Sequence, residues 1–176
     1  MQTLAQRISD LPPSCGPVRL VAVDGPAGAG KTTFAGRLGK ALDCQVIHSD
    51  DFPVPWSEGP GAWFAALREQ VLDPLSAGRP GRFRRYDWHR ARYTTWLDVP
   101  PAPVLVIEGV GTARRDADHL LAFRVWLEAE RATRWDRVRA RDGAGLEAEW
   151  QAWFAAEDRW FAGDATRSRA DLVIST

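Results

Sequence analysis

GPAGAGKTT (residues 25–33) stands between the apolar run VRLVAVD (residues 18–24) and FAGRLGKAL (residues 34–42). Gly25, Gly30, Lys31 and Thr32 fit the pattern G-x-x-x-x-G-K-[ST] without departure. Glycines let backbone amides wrap an anion where side chains would obstruct it, and the helix that follows turns its positive end toward the same point. The stretch therefore reads as a phosphate cradle on a strand–loop–helix unit. The whole run Gly25, Pro26, Ala27, Gly28, Ala29, Gly30, Lys31, Thr32 and Thr33 is expected to hold a nucleotide. Lys31, placed on the loop surface and outside the core, would reach the outer phosphates, and the Thr32 hydroxyl would ligate Mg²⁺.

The flanking segments continue the alternation. Val18–Val23 reads as a buried strand, and Phe34, Leu38 and Leu42 share one face of the helix after the loop. CQVIH (residues 44–48) is a second short strand leading into SDDF (residues 49–52). PVPWSEGPG (residues 53–61) is turn chemistry throughout. A helix from about Ala62 to Leu75 carries Phe64, Leu67, Val71 and Leu75 on one side. VLVIEG (residues 104–109), FRVWLEA (residues 123–129) and ADLVIST (residues 170–176) supply three more strands, separated by helices around Arg131–Arg141 and Trp150–Phe161. Alternating strands and helices imply an α/β, three-layer P-loop NTPase fold with a central, mostly parallel five-stranded sheet. We expect one P-loop domain over residues 1–176. Residues 79–102 form a hairpin-like excursion, and a lid helix covers about 130–142.

Composition excludes several classes. Twenty-three basic and 23 acidic residues balance, so no overall field draws the chain to nucleic acid or to an anionic membrane. Cys15 and Cys44 lie in no metal-ligand spacing, and no run is apolar and long enough for a secretory signal or a membrane span. A reducing cytoplasm is the expected compartment. Of nine tryptophans, Trp150, Trp153 and Trp160 lie on one expected helix and read as core or edge packing, while the total finds no account in the sequence.

The destination of the phosphate follows from the remaining motifs. A GTPase would show Asn-Lys-x-Asp, and the chain contains no asparagine. A kinase needs a base, an acceptor pocket and cations over the transferring group. SDDF offers two adjacent carboxylates whose side chains point opposite ways if extended. RFRRYDWHR (residues 82–90) combines aromatic faces with hydrogen-bonding groups, which suits a flat heterocycle or, equally, a packed hairpin. Arg134, Arg137 and Arg141 share one helical face, as a closing lid would require. Glu108 ends its strand at the sheet edge where such folds bind ligands, in place to hold Mg²⁺.

GPAGAGKTT, SDDF, YDW, VLVIEG and RWDRVRARD, in that order, resemble the uridine kinase and phosphoribulokinase group of P-loop kinases. The resemblance implies an ATP-dependent phosphotransferase that moves the γ-phosphoryl group to a hydroxyl of a nucleoside-like or sugar-like acceptor. It assigns catalysis to Asp50 as general base with Lys31, Arg134, Arg137 and Arg141, and Mg²⁺ to Thr32, Asp50 and Glu108. The acceptor set would be Asp51, Arg85, Tyr86, Trp88 and His89. Where the family carries an acidic segment for ribose hydroxyls, this chain reads EGPGAWFAA (residues 58–66). Ribose recognition is therefore not implied. Two alternatives stand beside this reading. A nucleoside monophosphate kinase would use Arg82, Arg84, Arg85, Arg90 and Arg92 to grip an acceptor phosphate, and a nucleic-acid-binding ATPase would use the same hairpin as a stacking platform.

Overall fold

A computed structural model describes every residue except His89, so the acceptor role expected of His89 lies outside the described residues. Five strands form one parallel sheet: β1 (Arg19–Asp24), β2 (Val46–His48), β5 (Val104–Glu108), β6 (Phe123–Glu128) and β7 (Leu172–Ser175), in the order β2-β5-β1-β6-β7. The remaining two, β3 (Gly81–Asp87) and β4 (Arg92–Val99), make a separate antiparallel hairpin within the expected excursion. β1 is central, and every residue from Leu20 to Asp24 is buried. Its side chains alternate between two cores. Leu20 and Ala22 join Leu105, Ile107, Phe64, Leu67 and Phe83 on one face, while Val21 and Val23 join Val106, Val125, Ala35 and Leu38 on the other. Continuous apolar strands covered on both faces are what a parallel sheet requires.

The helices are α1 (Gln2–Ser9), α2 (Lys31–Leu42), α3 (Phe64–Leu67), α4 (Asp73–Ser76), α5 (Arg131–Asp142) and α6 (Glu147–Asp164). Two features depart from expectation. α1 has no counterpart in the sequence reading, because only Ala5 and Ile8 of its eight residues are buried, with Leu4 partly buried against the core, and no side-chain cap marks its start. The helix expected over Ala62–Leu75 is real on its buried face, but a π-helical turn at Arg68–Leu72 divides it into α3 and α4. Pro74 follows that turn and has no N–H to donate to the carbonyl four residues back, so the wider turn forfeits no bond there.

Register places the functional edge. Val23 and His48 both pair with Glu108, so β1, β2 and β5 end on one line. The segments leaving that line are the glycine loop, SDDF and the turn after Glu108.

Candidate active site

The loop from Gly25 to Gly30 bends back from β1 and delivers Lys31 to the first turn of α2. Gly28 has φ +79°, and a Cβ there would lie 2.6 Å from the Arg134 carbonyl oxygen. Only glycine allows α5 to press this closely on the loop. Lys31 is 9% exposed, and its Nζ donates to the Pro26 carbonyl at 3.0 Å. This corrects the expectation of a surface lysine: the loop arches over its stem.

Asp24, absent from the expected site, anchors the whole edge. It is fully buried and accepts three backbone N–H bonds, from Gly25 at 2.7 Å, Gly111 at 3.0 Å and Ala113 at 2.8 Å. The loop after β1 is thereby tied to the loop after β5. Burial pushes its carboxyl up to about 6 against the pull of those donors and of Lys31.

Beside the cradle, Thr32 Oγ1 donates to Glu108 Oε1 at 3.1 Å, and His48 Nδ1 lies 2.6 Å from the same oxygen. The bond to Glu108 raises the His48 pKa, burial opposes it, and Asp51 and Asp50 add to the rise. Gly109 follows Glu108 at φ +146°, and a Cβ would meet the Ser49 side chain at 2.3 Å. The SDDF turn can therefore lie directly against the end of β5.

The two aspartates of SDDF separate. Asp51 is buried, and its Oδ1 accepts from Arg85 Nε at 3.1 Å. Asp50 opens to solvent at the mouth of the cleft, where protein crowding and the Glu108 charge raise its pKa against Lys31 and Arg141. The Asp50 backbone carbonyl receives the Trp88 indole N–H at 2.7 Å.

Two cavities meet here. The smaller, about 340 Å³, is lined by His48, Asp51, Arg85 and Tyr86, and by Thr32, Asp50, Trp88 and Glu108. The larger, about 1140 Å³, shares those last four residues and runs along the glycine loop to Arg137 and Arg141. Arg134, expected beside them on the lid, lines neither cavity. The first turn of α5 docks on the loop, so Arg134 is buried there. Its Nη1 lies 3.4 Å from the Ala27 carbonyl oxygen and 3.7 Å from Glu157 of α6. Glu157 in turn accepts the Ala27 N–H at 2.9 Å, and burial raises its pKa. Arg137 donates to the Gly28 carbonyl at 3.0 Å, while Arg141 is paired with Asp142.

Of the five hairpin arginines, only Arg85 lines either of these two cavities. Arg82 pairs with Asp98, Arg90 with Asp87, and Arg84 stacks on exposed Tyr93 and Trp96. Asp24 and His48 were legible as polar residues at strand ends. Glu157 and the cleft tryptophans, brought in from α6 and the turn region, were not.

Among the described residues, no group of three or more His, Cys, Asp or Glu is placed to hold a metal ion alone. Thr32 and Glu108 nonetheless converge as hard oxygen donors, which fits Mg²⁺, an ion that takes its other ligands from phosphates and water. No helix among the described residues is long and apolar enough to cross a membrane.

No protein-family model matches the chain, and no curated protein matches it. Solved structures do. A provisionally assigned fructose transport system kinase from Silicibacter sp. is similar at TM-score 0.76 and 20% identity, over 98% of each chain. A provisionally assigned uridine kinase from Bacillus stearothermophilus is similar at TM-score 0.69 and 22% identity, over 98% of this chain and 95% of the other. Shikimate kinase from Acinetobacter baumannii, in complex with shikimate, is similar at TM-score 0.53 and 19% identity, over 98% of this chain and 87% of the other. These likenesses establish the fold as that of the P-loop kinases.

Proposed function

We propose that the chain is an ATP-dependent small-molecule kinase, uridine-kinase-like in layout, that phosphorylates a hydroxyl of a small acceptor. One observation carries the reading: the glycine loop, the Thr32–Glu108 pair and Asp50 border a single junction between two cavities. The nucleotide phosphates lie along the loop amides, with Lys31 and Arg137 as nearby cations. Mg²⁺, held by Thr32 and Glu108 with Asp50 beside them, would draw charge from the phosphate oxygens. The acceptor oxygen forms a bond to the γ-phosphorus as the bond to the β,γ-bridging oxygen breaks. ADP leaves with that electron pair, and the hydroxyl proton passes to the Asp50 carboxylate. Tyr86, Trp88, Asp51 and Arg85 border the acceptor side. A grip on an acceptor phosphate finds less support, because Arg82, Arg84, Arg90 and Arg92 line neither cavity.

Transfer from γ-labelled ATP tests the reading, with nucleosides, nucleoside monophosphates and sugars offered as acceptors. Lys31→Met keeps the buried stem and removes the ammonium, and we expect transfer to vanish while far-UV circular dichroism is unchanged. Absence of transfer to any acceptor by the native chain sinks the kinase assignment, and undiminished transfer in Lys31→Met removes Lys31 from the catalytic machinery.

A further inference from the structure

The larger cavity has an unusual wall. It is built by Val54, Trp56 and Trp63 from the segment after SDDF, with Leu146, Trp150 and Trp153 from the start of α6, the last two packing beside Ala27 of the glycine loop. Trp56 spans the two groups: its ring centroid lies 4.8 Å from that of Trp150 and 5.7 Å from that of Trp153.

Most indole N–H groups around this wall are already used within the protein. Trp63 donates to the Val110 carbonyl at 2.9 Å, Trp153 to Glu157 at 2.6 Å, and Trp88 to the Asp50 carbonyl at 2.7 Å. Among the described residues, Trp150 Nε1 is buried without a hydrogen-bond partner and is closed to the cavity, whereas the indole N–H of exposed Trp56 has no protein partner. The wall thus presents flat carbon faces and one spare donor. A polyol laid against it would bury hydroxyls with nothing to pair them, and each unpaired hydroxyl costs its desolvation. An aromatic or branched hydrocarbon body meets the opposite condition, since indole faces stack on it in offset or edge-on contact.

From this arrangement we infer that the acceptor is an amphipathic alcohol. Its hydroxyl sits at Asp50, a polar end occupies the smaller cavity beside Arg85 and His48, and a flat apolar body lies on the Trp56–Trp150–Trp153 wall. At most one hydrogen-bond acceptor on that body meets Trp56 Nε1. The inference rests on the kinase reading and narrows its substrate class. The reaction is the phosphoryl transfer written above, with ATP as the donor.

The test compares two aromatic alcohols that carry a polar end, 3-hydroxy-2-phenylpropanoate and 3-phenyllactate, with fructose and uridine, using γ-labelled ATP and MgATP affinity measured separately by tryptophan fluorescence. Trp56 is 38% exposed, so its truncation removes little core, and Trp56→Phe serves as the conservative control. We expect saturable transfer to both aromatic alcohols. In Trp56→Ala their KM should rise roughly ten- to hundredfold, with Trp56→Phe restoring most of it and MgATP affinity unchanged. Fructose or uridine saturating below the aromatic alcohols overturns the inference and leaves the kinase reading intact. So does MgATP binding without transfer to either aromatic alcohol. A Trp56→Ala defect confined to MgATP also overturns it, by giving the wall to the adenine. Failure to bind MgATP at all overturns the kinase reading, and the inference with it.

Discussion

The carboxyl of Asp50 faces the cleft with one long contact from Ser49 at 3.4 Å, while that of Asp51, next in the chain, is buried against the Arg85 guanidinium. A general base must be reachable and unencumbered, and Asp50 alone of the pair is both. Asp50→Asn should lower kcat by about 10² to 10⁴, and Asp51→Asn by much less. Kinetics of both variants on one acceptor checks the ranking, and an inactive Asp51→Asn beside an active Asp50→Asn reverses it. Burial and the Glu108 charge raise the Asp50 pKa, so the acid limb of the kcat/KM profile should lie above the ordinary aspartate value, and Asp50→Asn should abolish that limb. Asp24 makes a separate pH prediction through stability. Its folded pKa of about 6 exceeds the ordinary 3.8, so the native state binds more protons between those values. Its contribution is complete below the unfolded pKa and is lost as pH rises through about 6, a fall on the order of 3 kcal/mol. Denaturant midpoints across pH 3.5–7 should show this fall in the native chain. Asp24→Asn should be less stable throughout and should lack that component.

The β3–β4 hairpin presents different chemistry on its two sides. Phe83 packs into the core against Phe52 at 4.9 Å between ring centroids, which fixes the hairpin to the SDDF segment. The register shift between Arg84 and Tyr86 then turns Arg85 toward Asp51, and Tyr86 joins the smaller cavity. On the outer side, Arg82 and Arg84 stack with Trp96 and Tyr93 away from the cleft. The aromatic content of this stretch therefore serves packing and the cavity lining together. Tyr86 is partly exposed and holds no part of the main core, so Tyr86→Ala should raise the acceptor KM about tenfold and leave that for ATP nearly unchanged. Steady-state kinetics with each substrate varied separately measures the split. A fall in melting temperature without a kinetic change would assign Tyr86 to packing alone.

Taken as one body, the chain joins α5 to its glycine loop. Gly28 admits α5, Arg134 and Glu157 hold the Ala27 peptide from both sides, and Asp24 ties the loop to the end of β5. A ligand on the loop should therefore stabilise the whole fold. MgATP at a hundredfold over its Kd should add about 2.7 kcal/mol, or roughly 5–10 °C in Tm for a protein of this length. Differential scanning calorimetry measures the shift, and a Lys31→Met variant should show little of it. The sequence by itself determined the five parallel strands, the strand–glycine loop–helix unit and the position of Glu108 and SDDF at strand ends. Those features depend on short-range pattern: apolar runs, glycine spacing and the order of strand and helix. It could not determine that Lys31 is buried, that Arg134 leaves the lid face for the loop, or that a π turn divides the second long helix. Tertiary structure decided these, because each depends on a backbone from a distant segment arriving within van der Waals contact. The tryptophans follow the same rule. Trp56 and Trp150 are far apart in the chain and share no periodicity, and only packing of the turn region on α6 makes them one wall of the cleft.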